Sequence, residues 1–216
     1  MSIKEVLSYE LSPVLASLFD DGGNMQLQAK STLKQKLQVE VSSRLVHLPD
    51  VVIIDGCAML WTVHWLTSGN VEDYVKNFTT KIKFHLRNGD VYLVFDRYHP
   101  NSTKNVTRSN RAGKNVSWKH QLTLQTQLPA QKVVLTVPHN KKQLIDLICQ
   151  YLINNVSCES TRLTITGDQP TPTQLYENTV TNRADLRVTH KEADVIMVQH
   201  MVKVAEKGCS NISDMR

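Results

Sequence analysis

Two uninterrupted apolar runs, each followed directly by an aspartate, constrain the fold of this chain more than any other feature. Residues 51–54 read Val-Val-Ile-Ile before Asp55, and residues 91–95 read Val-Tyr-Leu-Val-Phe before Asp96. Continuous apolar runs of this length, rich in β-branched residues, are typical of strands that are buried on both faces of a parallel sheet. The sequence therefore predicts a parallel sheet with a carboxylate at the end of each of two strands.

Helical patterns separate these strands from others further along the chain. Helices are predicted at residues 57–66, 71–86, 141–153 and 189–205, and further strands at residues 132–137 and 162–166. Two prolines place residues 169–173 in a loop. Strands that alternate with helices favour an α/β fold, with a mainly parallel central sheet and helices on both faces.

Residues 1–48 differ from the rest and are predicted to form a helical extension, ahead of an α/β domain at residues 49–216. Leu33, Leu37, Val41 and Leu45 recur every four residues, which is a helical stripe with a charged opposite face. We expect this extension to pack on the domain or to bind a protein partner.

Composition excludes several classes of protein. No run approaches the ~20 apolar residues that span a bilayer, so we expect no membrane contact. The first 18 residues include Glu5 and Glu10 and lack the apolar centre of a signal peptide. The four cysteines contain no C-x-x-C pair, which argues against a structural zinc site and a disulfide framework. We therefore expect an intracellular protein, either nuclear or cytoplasmic.

The net charge of +5 is concentrated in one stretch of the chain. Residues 97–145 contain nine basic residues and no acidic one, whereas the rest of the chain has 16 basic and 20 acidic residues. Basic side chains of this kind bind phosphate, Arg in bidentate fashion and Lys as a point charge. The candidates for nucleic-acid contacts are Arg97, Lys104, Arg108, Arg111, Lys114 and Lys119. The alternative is a solvated basic loop.

Four carboxylates are candidates for a shared site. Ligands of open parallel sheets bind beyond the carboxyl ends of the strands, where Asp55 and Asp96 converge if their strands are neighbours. Glu192 and Asp194 lie at the start of the last predicted helix. Together these residues could form an all-oxygen site for Mg²⁺ or Mn²⁺. The alternatives are structural: Asp favours strand ends and turns, and Thr189 with Glu192 fits a helix capping box.

The same residues resemble a known superfamily. Residues 54–60, Ile-Asp-Gly-Cys-Ala-Met-Leu, are similar to the opening D-G-x-x-x-L element of the PIN-like and flap-endonuclease-like nucleases. Residues 94–100 and the basic residues after them resemble the V-F-D-G-x-x-P segment with its trailing basic helix, although Arg97 replaces the Gly. Residues 192–194 resemble the E-A-E or E-A-D element. The Leu-Lys-Gln-Lys-Leu segment at residues 33–37 also resembles a group of animal proteins that carry a PIN-like domain.

This resemblance implies a PIN-like three-layer sandwich that hydrolyses phosphodiesters with two metal ions. Asp55, Asp96, Glu192 and Asp194 would be the metal ligands and catalytic residues, and Lys104, Arg108 and Arg111 would contact phosphate. The family pattern continues with a further strand and a pair of carboxylates, which we expect this chain to lack after residue 211. The expected function is therefore a Mg²⁺- or Mn²⁺-dependent nuclease that acts on structured or single-stranded nucleic acid.

Two other functions stay open. The first is a catalytically impaired module of the same fold, which binds nucleic acid or a protein partner. The second, a small-molecule α/β enzyme, is disfavoured because G-x-G-x-x-G, Walker A and G-x-S-x-G patterns do not occur in the sequence.

Overall fold

The computed structural model describes residues 49–97, 119–190, 192–209 and 211–215. The predicted N-terminal extension lies outside these residues, so it stays a prediction, as does its boundary with the domain. The described helices and strands are, in chain order, β1 (Val51–Asp55), α1 (Gly56–Thr62), α2 (Val71–Leu86), β2 (Asp90–Val94), α3 (Gln131–Thr136), α4 (Pro138–Asn155), β3 (Leu163–Thr166), β4 (Thr173–Tyr176), β5 (Thr179–Asn182), a 3₁₀ turn (Ala184–Leu186), α5 (Ala193–Glu206) and β6 (Ile212–Met215).

The strands form one mixed sheet in the order β5-β4-β3-β2-β1-β6. The pairs β6/β1, β1/β2 and β2/β3 are parallel, and the pairs β3/β4 and β4/β5 are antiparallel. The α/β class is therefore confirmed, with a sheet that is parallel through its centre. The neighbouring positions of β1 and β2 bring the ends of the two predicted aspartate strands together, with Asp55 opposite Val94.

Side chains that alternate along the strands build two hydrophobic cores, one on each face of the sheet. Val52 and Ile54 of β1 pack with side chains from helices α1 to α4, whereas Val51 and Ile53 pack with Ile196 and other side chains of α5. Helices therefore cover both faces, as predicted. None of the helices in the described part of the chain has the length and apolar character needed to cross a membrane.

Helix α2 begins where its sequence signals predict. The Asn70 side chain accepts a hydrogen bond from the Asp73 N–H at 3.0 Å, and the Asp73 carboxylate accepts one from the Asn70 N–H at 3.1 Å. This reciprocal capping box satisfies two N–H groups that a helix start leaves without a partner.

The sheet differs from the sequence-based expectations in three respects. The segment predicted as a strand at residues 132–137 is mostly helix α3 (Gln131–Thr136), because a short apolar run does not distinguish a strand from a buried helical turn. Residues 173–182 form the unexpected hairpin β4–β5, which turns at Glu177 and Asn178 with positive φ angles of 48° and 57°. The strand expected to be missing is present, since β6 pairs in parallel with β1.

Candidate functional site

Asp55 ends strand β1 and caps helix α1, so its carboxylate is held at the carboxyl edge of the sheet. Its Oδ1 accepts hydrogen bonds from the N–H groups of Cys57 at 2.8 Å and Ala58 at 3.1 Å. The turn between strand and helix is tight, because a Cβ atom at Gly56 would lie 2.4 Å from the Phe95 ring. The Asp-Gly pair therefore fixes one carboxylate at the strand end.

Asp96 follows strand β2 and contacts the start of helix α5, which is 97 residues away in sequence. Its Oδ1 accepts a hydrogen bond from the Ala193 N–H at 2.9 Å. Since strand side chains alternate, Asp96 points to the same face as Tyr92 and Val94, the face that α5 covers. Asp96 thus acts as an N-cap supplied by another part of the fold, and it joins the carboxyl edge of the sheet to α5.

This contact replaces the capping box that the sequence predicts. Helix α5 begins at Ala193, not at residue 189, and Glu192 is its N-cap residue without a side-chain capping hydrogen bond. A carboxylate at the N-terminus of a helix is stabilised by the helix dipole and the free N–H groups. The helix start is therefore defined by Asp96, and the Thr189–Glu192 capping box is not formed.

Three of the four predicted carboxylates lie close enough to influence one another. Burial raises the pKa of the Asp55 carboxyl most, the N–H groups of Ala58 and Cys57 lower it, and the negative charges of Asp96 and Asp194 raise it further. Glu192 precedes Ala193, and its side chain is exposed. Asp55 therefore lies within electrostatic reach of Asp96 and Asp194, and Glu192 directly precedes the Ala193 N–H that Asp96 binds.

The donor set suits a hard divalent cation, although it is not a complete cage. Within residues 49–97, 119–190, 192–209 and 211–215, no group of three or more His, Cys, Asp or Glu side chains is placed to hold a metal ion together. Mg²⁺ needs no such cage, because it keeps several waters and is usually bound by one or two carboxylates and substrate phosphate. Burial, and to a lesser extent the charges of Asp96 and Asp194, raises the pKa of Asp55, and a bound cation would offset both effects, so the carboxylates fit Mg²⁺ or Mn²⁺ in their chemistry.

Arg97, predicted to contact nucleic acid, has a different role in the structure. It is only 5% exposed, and its guanidinium donates to backbone carbonyl groups of two loops. Nε donates to Gly167 O at 3.1 Å, and the terminal nitrogens donate to the carbonyls of Gln169, Pro170, Val188 and His190. A phosphate contact does not agree with this placement. Arg97 instead ties the end of β2 to the loop after β3 and to the segment that leads into α5.

The other predicted phosphate contacts lie mostly outside the described residues. Lys104, Arg108, Arg111 and Lys114 belong to residues 98–118, whereas Lys119 is described and is exposed to solvent. Their assignment to nucleic acid stays a prediction.

Lys141 is a candidate that the sequence analysis missed. It lies in the first turn of α4, and its charge lowers the pKa of the Cys57 thiol, which burial raises and which Asp96 and Asp55 raise further. Lys141 is therefore a cation within electrostatic reach of Cys57, which lies two residues after Asp55. The sequence feature that could have indicated it is the Lys141-Lys142 pair shortly after Pro138. Lys142 itself forms ion pairs with Asp146 and Asp168.

Strand β6 brings one further carboxylate into the sheet. Asp214 is paired in register with Ile53, two residues before the carboxyl end of β1, and it is exposed. Its position is therefore offset from Asp55 along the strands.

Comparison of the chain with models of known protein families, with curated proteins and with solved structures finds no match. The relation to PIN-like nucleases therefore rests on the motifs and stays a proposal.

Proposed function

We propose that this protein is a Mg²⁺- or Mn²⁺-dependent phosphodiesterase of the PIN-like type that cleaves nucleic acid. The observation that carries the proposal is that Asp96 contacts the start of helix α5, while Asp55 lies within electrostatic reach of both Asp96 and Asp194. Asp96 binds the backbone at Ala193, and the charges of Asp96 and Asp194 act on Asp55. Acidic groups that repel one another at the carboxyl edge of a parallel sheet are typical of a ligand site.

In this proposal the acidic residues bind the metal ion and the basic residues bind the substrate. One or two of the carboxylates Asp55, Asp96 and Asp194 would hold the cation together with water and substrate phosphate, with Glu192 beside Ala193. When bound, the cation lowers the pKa of a water molecule and stabilises the charge that develops on phosphate oxygens. Lys141 and Lys119, together with the basic residues of the 98–118 segment, would orient the phosphate backbone of the strand.

Cleavage of labelled single-stranded and flap-containing DNA and RNA tests the proposal. We expect cleavage in Mg²⁺ or Mn²⁺ and none in EDTA. Asp96→Asn keeps an oxygen that can cap α5 but removes the charge, so it should lower the rate at least about 100-fold. Asp168→Asn is the matched control, because Asp168 follows strand β3 but is paired with Lys142, and its rate should change less than about twofold. Equal losses in both variants would contradict the assigned site.

A second candidate function is a module of the same type that binds nucleic acid without cutting it. The observation that favours it is that the described side chains form no complete metal-ligating group. Binding through the basic residues should weaken steeply as salt increases. Salt-sensitive binding by the wild-type protein, with no cleavage in Mg²⁺ or Mn²⁺, would select this alternative over the nuclease.

A further inference from the structure

A cavity of about 310 Å³ opens beside Asp55, between helices α1 and α2 and the edge strand β6. Its lining is formed by Ile54, Asp55, Ala58, Met59, Thr62, Lys81, Phe84, His85 and Met215. We call it the Phe84 cavity. Its volume lies at the lower end of the range for small-ligand sites in proteins, which are mostly apolar with a few polar groups.

The walls of the Phe84 cavity are apolar and partly exposed. Phe84 is 58% exposed and Met215 is 43% exposed, although both are large hydrophobic side chains. The Phe84 ring is held edge-on to the His85 ring, with 5.5 Å between the ring centroids and 82° between the planes. An exposed aromatic side chain over an apolar cavity provides a surface on which a flat ring can stack.

The rim of the cavity is polar and carries a positive charge. The Lys81 ammonium donates to the Thr62 carbonyl at 3.0 Å, which holds the charge over the end of α1. Burial lowers the pKa of His85, and the charge of Lys81 lowers it further, so its ring is neutral at physiological pH and can both donate and accept hydrogen bonds. The rim thus suits a ligand that combines a polar flat ring with an anionic group.

We propose that the Phe84 cavity binds one unpaired nucleobase of the strand that is cleaved, with the base stacked on Phe84. This inference rests on the proposed function, since Asp55, whose carboxylate would hold metal, is also one of the residues that line the cavity. A base in the cavity belongs to a nucleotide whose phosphate lies near Asp55, and Lys81 offers a cation to the backbone at the rim. The site favours single-stranded substrate, because a paired base has its ring faces covered by its neighbours.

The charges distinguish a nucleotide from an apolar peptide as the occupant. The charge of Lys81 does not attract a peptide that inserts one apolar side chain. It does attract the phosphate groups of a nucleic acid. The apolar walls also distinguish a nucleotide from a free phosphate, which has no flat surface to place against Phe84.

Binding of short fluorescein-labelled single-stranded DNA and RNA in Ca²⁺ tests the proposal. Phe84→Ala should weaken binding about tenfold, the scale of one lost base-stacking contact. Val180→Ala is the matched control, because Val180 is 55% exposed on strand β5 at the opposite end of the sheet, and it should leave affinity unchanged. Both variants should fold, since each truncates an exposed side chain, and equal thermal unfolding of the two variants and the wild type checks this.

Oligonucleotides with one abasic position give a second, independent readout. An abasic nucleotide at the bound position should weaken wild-type binding about as much as Phe84→Ala, and the two losses should not add, because both remove the same contact. Lys81→Ala should lower the slope of log affinity against log salt by about one, whereas Lys83→Ala, on the same helix but outside the cavity, should not.

The outcomes separate this inference from the proposed function. If the wild-type protein neither binds nor cleaves oligonucleotides, the proposed function fails and the base site fails with it. If it binds but Phe84→Ala and Val180→Ala are alike, or if the abasic and Phe84→Ala losses add, only the base site is overturned. A change of oligomeric state in Phe84→Ala with unchanged oligonucleotide affinity would show a protein contact and would also overturn it.

Discussion

The two faces of the sheet are held in different ways. The face covered by helices α1 to α4 is almost wholly apolar, with buried side chains such as Leu93, Phe78 and Ile148. The face covered by α5 has a smaller apolar core, and polar side chains are buried around it, among them Arg97, Thr166 and His200. The three carboxylates that converge lie at the carboxyl end of this second face.

The comparison shows how stability and placement are divided. The α1 to α4 face has the larger hydrophobic core and therefore buries more apolar surface. Such apolar contacts stabilise the fold but are non-directional. Hydrogen bonds are directional, and on the α5 face they connect specific points: Asp96 to Ala193, Thr166 to His200, and Arg97 to the two loops. The helix that carries Asp194 is therefore positioned by directional polar contacts at Ala193 and His200 in addition to its apolar core.

The largest loss of stability is expected on the apolar face. Phe78→Ala removes a fully buried ring that stacks with Phe95 at 6.4 Å, and it should lower the free energy of unfolding by about 4 kcal/mol. Phe84→Ala on the same helix is the control and should cost less than about 0.5 kcal/mol, because Phe84 is exposed. Urea denaturation measures both. A small loss at Phe78 would show that this face is not the main source of stability.

Arg97→Met should lower the free energy of unfolding by about 3 kcal/mol, because it leaves buried carbonyl groups without hydrogen-bond donors. It should also weaken Mn²⁺ binding, since the loops that lead into α5 lose their common attachment. Arg183→Met is the control: Arg183 is bound to Asp185 and Gln174, away from the carboxylates, and it should leave Mn²⁺ affinity unchanged. Calorimetry and chemical denaturation separate the two effects. Equal Mn²⁺ affinity in Arg97→Met and the wild type would contradict the positioning role.

The buried His200 predicts a loss of stability in acid that comes from the α5 face. Burial, together with the charges of Arg183 and Arg97, lowers its pKa from 6.5 to about 4. Between these values the unfolded chain binds a proton that the folded chain excludes, so stability falls as the pH falls. The full contribution is present above pH 6.5, and its loss by pH 4 amounts to about 3 kcal/mol.

Denaturation of the wild type and His200→Gln across this pH range isolates the effect. The variant has no group that titrates at this position, so its stability should fall less steeply between pH 6.5 and 4. Parallel pH profiles would show that the acid sensitivity arises elsewhere.

The sequence was most informative where a local pattern determines structure. The apolar runs before Asp55 and Asp96, and the helical pattern of residues 71–86, depend on neighbouring residues alone, and those elements were predicted closely. Helix α3 was predicted as a strand because a segment of six residues is too short to distinguish the helical repeat of 3.6 residues from the strand repeat of two. The β4–β5 hairpin was missed because its turn lacks the usual glycine, and β6 because a four-residue strand carries little pattern of its own.

The site was predictable in part for the same reason. The positions of Asp55 and Asp96 at strand ends follow from the runs before them, whereas the role of Arg97 depends on carbonyl groups 70 to 93 residues away in the chain. No local pattern reveals that Arg97 turns inward while Asp96, its neighbour, reaches α5. Lys141 was missed because its proximity to Cys57 depends on how α4 packs.

The smallest expected change in stability concerns the hydrogen bond between Asp96, at the end of β2, and Ala193, at the start of α5. Asp96→Ala removes the oxygen that accepts the Ala193 N–H, whereas Asp96→Asn keeps an oxygen there. The alanine variant should therefore be less stable than the asparagine variant by about 1 kcal/mol, the usual contribution of a helix cap.

Both variants remove the negative charge that raises the pKa of Asp55, so this pKa should fall in both, as NMR titration of the Asp55 carboxyl can measure. Equal stability of the two variants would show that the cap contributes little, whereas an unchanged Asp55 pKa would show that the carboxylates are too far apart to share a cation. The pair of variants thus separates the mechanical contact of Asp96 from its charge, the property on which the proposed metal site depends.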